Sequence, residues 1–311
     1  MPDMKTGNSD NLNAATDLNP SGSSSSGGSF FALLLPLVFI FLHLILQSFV
    51  ALMLANQGLN WDQSLFSALA DPVSSQTLQE ALAQPDLMAK TSLLTGLILL
   101  PILAFFIWRR SKRNPRIFLH KRTDAHTVGR VLLLSFSAQG LAYVWLMLLD
   151  LLARQFDFIS LRLAHYVELM EKLGGQAVSP LLLISSSALM VPLIEELIYR
   201  AISMGEYSRA LSRKTTILTQ AFIFGLVHGN LVQAVYAFIL GLVIGYIYWE
   251  SENFYLAFLA HAFFNFLGGV LPQWFLPNSP VIVALRILQI LMFLILLAQH
   301  FREARSHDQG F

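Results

Sequence analysis

The amino-acid sequence predicts an all-α fold, a polytopic transmembrane helical bundle of about eight spans. Three observations lead there. Of the 311 residues, 55% are hydrophobic and only 13% charged, whereas an ordinary soluble domain runs near 45–50% and about 25%. Mean hydropathy is +0.59, and several apolar runs exceed the ~18 residues that cross a ~30 Å hydrocarbon core. The charges of the short loops also alternate in sign balance from one connection to the next. The same composition narrows the partners. A net charge of +1 with no cysteine gives no basic face for nucleic acid and excludes disulfides, iron–sulfur clusters, thiolate zinc sites and cysteine nucleophiles.

Taken in order, residues 1–29 are rich in Ser, Gly and Asn, too polar to offset chain entropy, and are expected to be a disordered tail. Residues 30–152 hold the N-terminal spans, at 30–55, 91–108 and 128–152. Residues 153–179 read as an interfacial segment, because 156–173 mixes apolar and charged side chains at near-helical spacing. The core, 180–299, carries spans at 180–199, 216–233, 234–249, 254–271 and 281–299, and 300–311 is a short C-terminal tail.

Orientation follows from the loops. Arg109, Arg110, Lys112, Arg113, Arg116, Lys121 and Arg122 crowd the 109–127 connection, and Arg200, Arg209, Arg213 and Lys214 the 200–215 connection. The 56–90 connection instead holds Asp62, Asp71, Glu80 and Asp86 against Lys90. Basic loops stay in the cytoplasm, which predicts both termini on that side and makes the 109–127 stretch chiefly an orientation signal.

Ionisable side chains inside a span cost roughly 2.5–3.5 kcal/mol each, so they are candidates for function. The spans contain His43, Arg130, Glu195, Glu196, His228, His261 and Arg286, with the amides Gln47, Gln139, Gln220 and Asn265. Arg130 and Arg286 lie near span ends and can snorkel. His43, among apolar neighbours, reads as a helix–helix hydrogen bond. The others gather in the last half of the chain.

Glu196 and Arg200 stand at i and i+4, the spacing at which an acid and a base meet on one helix face. Glu195 lies about 100° around the helix, left to face a cavity where desolvation would make it a base near neutral pH. Pro192 removes a backbone hydrogen bond beside it. Gly225 and Gly229 form a small-xxx-small pair next to His228. His261 and Asn265 sit one turn apart, able to donate to a developing oxyanion. Such residues also glue transmembrane helices together. Two Glu, two His and one Asn on three spans nevertheless fit a hydrolytic site: base, proton carrier and oxyanion donors. Counted from the cytoplasmic ends, Glu195 and His261 fall about 8–11 Å deep but His228 nearer ~18 Å, a mismatch that helix tilt or shifted span ends must remove.

Glu195-Glu196-x-x-x-Arg200, Phe224-x-x-x-His228 and His261-x-x-x-Asn265, in this order, resemble the three motifs of the CAAX protease and bacteriocin-processing (CPBP, or Abi) family of intramembrane endopeptidases. That family includes the type II CAAX prenyl endopeptidase, and the resemblance covers residues 180–271. It implies that Glu195 activates water with help from His228, that His261 and Asn265 stabilise the oxyanion, and that Glu196 and Arg200 support the site. It also favours a metal-independent peptidase without cofactor. Zinc is the alternative, although no HExxH pair lies on one helix. The expected partners are a peptide or membrane-protein substrate and the lipid bilayer, and the expected location is a bacterial inner membrane. Two other functions compete: a non-catalytic or immunity-type scaffold of the same fold, and a proton-coupled transporter.

Overall fold

A computed structural model describes residues 26–59, 72–174, 178–275 and 279–308. The proposed polar tail falls, up to residue 25, outside the described residues, and helix α1 (Ser26–Leu59) already starts at Ser26. There follow α2 (Pro72–Leu82), α3 (Pro85–Ser111), α4 (Ala125–Ala153) and α5 (Asp157–Gly174). The second half contains α6 (Pro180–Tyr207), α7 (Arg213–Leu226), α8 (Leu231–Ser251), α9 (Phe254–Trp274) and α10 (Pro280–Asp308). No strand occurs among the described residues, where His120 and Asn253 form an isolated bridge.

Local chemistry explains the boundaries. α3 opens on Pro85 with Asp86 in its first turn and closes on Arg109 and Arg110, matching the helix dipole at both ends. Side-chain oxygens of Asp124, Ser212, Asn230 and Asn253 accept the first free N–H groups of α4, α7, α8 and α9. Gly229 takes a φ of +67° in the tight turn from α7 to α8, a region glycine enters without steric penalty.

Six described helices are long and apolar enough to cross a membrane: α1, α3, α4, α6, α8 and α9. With the shorter helices α7 and α10 they make a polytopic helical bundle of the expected kind. α7 has only 14 residues, about 21 Å at ~1.5 Å per residue, and its first turn carries Arg213 and Lys214. In α10 the apolar part is the shorter stretch Pro280–Leu296. Proximity of helices in a bilayer rests on close packing more than on water exclusion, and the glycines show where. A Cβ on Gly225 would collide with the Ala234 carbonyl oxygen, and one on Gly241 or Gly245 would meet Ala221 or Gln220. The Gly241-x-x-x-Gly245 pair thus serves the α7–α8 contact within this chain.

α6 runs through the centre, with Ile194, Ile198 and Ile202 buried among Leu99, Leu103, Ile244 and Ala257. Its far end is clamped by the basic connection after α3. Arg110 grips Glu206 through Nε (2.6 Å) and Nη2 (2.8 Å), and Asn114 donates to the Gly205 carbonyl at 2.8 Å. Asn253 donates to the Lys121 carbonyl, the Phe254 N–H to Leu119, and Lys121 pairs with Glu252. The 109–127 stretch is thus a structural strap as well as a run of orienting charge. Arg286, expected to snorkel, lies over the Tyr143 ring at 5.0 Å.

Candidate active site

α6 is not a uniform α-helix. π-turns span Ile184–Met190 and Leu197–Met204, leaving one short α-helical stretch, Val191–Glu196, between them. Pro192 lies in that stretch and has no N–H to give, while the Val191 N–H reaches back to the Ser186 carbonyl five residues earlier. Ser203 Oγ likewise bonds the Ile198 carbonyl, five residues back, at 2.8 Å. A third π-turn, Phe266–Val270, follows Asn265 on α9. Wide turns of this kind often mark functional positions, because they redirect side chains within a helix. Here they flank Glu195, Glu196 and Asn265.

Glu195 and Glu196 diverge as adjacent helical positions must. Glu196 is fully buried and ion-paired with Arg200, Nε to Oε2 at 3.1 Å, so the local i,i+4 expectation is met. Glu195 keeps 15% of its side chain exposed and lines a cavity of about 50 Å3. His261, itself buried, stands between them: Nδ1 lies 2.7 Å from Glu196 Oε1 and Nε2 lies 3.5 Å from Glu195 Oε2. The short contact between Glu196 Oε1 and His261 Nδ1 fits a hydrogen bond in which the carboxylate oxygen accepts and the Nδ1–H tautomer donates. In the neutral ring Nε2 then carries the lone pair, aimed toward Glu195. Arg200, Glu196, His261 and Glu195 thus form one continuous row of polar side chains across α6 and α9.

The remaining candidates are placed differently from the simplest expectation. His228 makes no ion pair with Glu195; its Nδ1 lies 2.7 Å from the Phe224 carbonyl oxygen and its ring packs edge-on against Phe224 at 5.0 Å. Phe224 also meets Tyr199 at 5.0 Å, His261 at 5.7 Å and the Arg200 guanidinium at 5.2 Å, so one aromatic ring separates the two imidazoles. Asn265 donates Nδ2 to the Ser187 carbonyl at 3.0 Å, tying α9 to the first π-turn of α6, with its second N–H left over. The depth mismatch of His228 also shrinks: α6 continues to Tyr207, eight residues past the expected end of its span, about 12 Å at ~1.5 Å per residue.

Reading the sequence alone did not join His43 and Gln47 to the site: both are on α1 and line the same cavity as Glu195, and their shared i,i+4 face was the available signal. Phe224 entered only as a motif position, and its ring contacts show what it does there. For a metal ion the donor set is a poor fit: Arg200 already occupies Glu196, His261 has both nitrogens turned to carboxylates, and no group of three His, Asp or Glu among the described residues is arranged to hold one.

Residues 177–267 match the family described as Rce1-like, type II CAAX prenyl endopeptidase. This segment is similar to that family. It takes in Glu195, Glu196, Arg200, Phe224, His228, His261 and Asn265, the whole set on which the resemblance was drawn. No curated protein and no solved structure matches the chain. With six apolar helices around the Rce1-like segment, the molecule is an integral multi-pass membrane protein. The matched segment is thus similar to a family of CAAX-type intramembrane proteases, which act on peptides or proteins in the membrane.

Proposed function

We propose that this protein is an intramembrane endopeptidase that hydrolyses a peptide bond with water activated by Glu195, without a metal ion or cofactor. The observation that carries the reading is the placement of His261 between Glu195 and the Arg200-paired Glu196. Glu195 takes a proton from water as the oxygen attacks the scissile carbonyl carbon. His261 Nε2, next to Glu195, accepts that proton and becomes a donor held between two carboxylates. It donates first to the oxyanion, and the proton ends on the leaving amine nitrogen as the C–N bond breaks. The free N–H of Asn265 is the second oxyanion donor, and each such donor is worth about 3 kcal/mol. His228, one ring away, assists at the carbonyl or the water, and Glu196 with Arg200 keeps His261 in the required tautomer. Residues 180–299 form the catalytic core, and the basic loops lie in the cytoplasm with both termini, in a bacterial inner membrane.

The test compares new peptide N-termini in membranes holding wild type, Glu195→Gln or His261→Gln at matched abundance. Termini that disappear in both variants support a peptidase and identify its substrate. Identical termini in all three samples, with the variants folded, overturn it and favour a non-catalytic scaffold. EDTA is expected to leave cleavage unchanged; loss of cleavage restored by zinc would reverse the metal-free assignment.

A further inference from the structure

α1 lies outside the Rce1-like segment, yet it reaches Glu195. Its lipid-facing side is apolar, with Val38, Phe41, Ile45 and Phe49 all more than half exposed. Phe39 and Ile40 point inward and are buried, and His43 and Gln47 continue the inward row at successive i+4 positions. Both line the 50 Å3 cavity together with Ser92 of α3 and with Met190, Ile194 and Glu195 of α6.

The chemistry of this wall is specific. An imidazole, an amide, a hydroxyl and a carboxylate converge on one small space, and among the described residues neither His43 nor Gln47 has a hydrogen-bond partner. Polar groups at membrane depth that lack protein partners are satisfied by water or not at all. A water molecule needs about 10–15 Å3 of such volume and two to four polar partners, and the cavity offers both. The helix–helix hydrogen bond expected for His43 is not made. His261 approaches Glu195 from α9, whereas this wall comes from α1 and α3.

We infer that His43 and Gln47 are positioning residues of the hydrolysis: they hold the attacking water against Glu195 from the side of α1. The inference rests on the proposed function of Glu195. It gives α1 a part in the reaction that the motif-bearing helices do not supply. Gln47 donates and accepts toward the water, and His43 fixes its orientation, while neither touches the substrate.

Two measurements on the full chain in membranes or detergent test this. The first follows cleavage of the substrate found through the N-terminal comparison, for His43→Ala, His43→Gln, Gln47→Leu and Gln47→Glu. Misplacing a reacting group lowers turnover by about ten- to a hundredfold, so kcat should fall that far in His43→Ala and Gln47→Leu with KM unchanged. His43→Gln and Gln47→Glu, which keep polar atoms in the wall, should restore part of the rate. A purely structural role would lower the melting temperature and leave kcat per folded molecule alone.

The second needs no substrate. Hydroxyl radicals generated from bound water oxidise methionine readily, and Met190 lines the cavity, so its oxidation should drop severalfold in Gln47→Leu. Unchanged kcat in His43→Ala and Gln47→Leu, while Glu195→Gln is inactive, overturns this inference and leaves the proposed function standing. Full activity in Glu195→Gln overturns both. Unchanged Met190 oxidation in Gln47→Leu also overturns the inference, because the wall would then hold no water.

Discussion

Two glutamates on α6 are equally buried and do opposite work. Glu206, near the end of the helix, is saturated: Arg110 grips it with two nitrogens, Arg209 adds a third contact at 2.6 Å, and Asn114 lies at 3.4 Å. Glu196, in the middle, has one cation and one imidazole, and that imidazole is shared with Glu195. A carboxylate whose oxygens are all taken by cations and amides is fixed in place. One whose partner is a histidine can pass its influence on to a neighbour. Burial and residue type alone therefore do not identify a reactive carboxylate. The identity of its partners does, and the end of α6 acts as an anchor for the chemistry in its middle.

The largest expected effect breaks this contrast at its reactive end. Glu195→Gln should lower the cleavage rate about 10²- to 10⁴-fold, the usual share of a general base, while the melting curve stays that of wild type. If cleavage persisted, the middle of α6 would be no more reactive than its end. At the anchored end the order is reversed. Removing one member of a buried charge cluster costs about 3–5 kcal/mol because its partners remain unpaired. Glu206→Ala should therefore melt far below wild type, and the folded fraction should keep its turnover; normal melting with lost turnover would place Glu206 in the reaction.

A smaller change sharpens the comparison without touching charge. A Cβ on Gly205 would press on the Ile117 backbone, so Gly205→Ala should lift the strap from α6. The expected loss is about 1–3 kcal/mol by overpacking, read as a lower midpoint of thermal unfolding with kcat unaltered. The smallest effect lies farther from both glutamates. The exposed Asp124 carboxylate caps α4 by accepting the Thr127 N–H at 2.7 Å, which holds its pKa below the ordinary value. A carboxyl with a depressed folded pKa adds stability above its unfolded pKa and loses it as pH falls through the folded one. Wild type should thus lose a little stability on acidification that Asp124→Asn, a cap that does not titrate, keeps. Parallel acid unfolding of the two proteins would refute that role.

How much of this could be read beforehand depends on the distance along the chain. The Glu196–Arg200 pair was legible because i,i+4 contact is a property of one helix turn. The role of Arg110 was not legible. As one of seven basic residues in a loop it looks like an orientation signal, and its partner lies 96 residues away. His261 and Glu196 are 65 residues apart, and no periodicity couples them. His43 was seen as a polar residue in an apolar run, yet which helix it would face depended on how α1 packs. Where α7 begins and ends was less legible, because hydropathy windows register apolar length but not where Ser212 and Gly229 bound a helix.

By itself, then, the sequence determined that the chain lives in a membrane, which residues are too polar to be there without a reason, and which pairs meet within one turn. Those follow from composition and from helix geometry, both local. Only the tertiary structure decided that Glu206 is held by the strap through Arg110, that one imidazole lies between two glutamates, and that α1 lines the cavity beside Glu195. Such facts depend on the packing of separate helices, and in a bilayer that packing is set by small residues and buried polar contacts whose partners the chain order does not reveal.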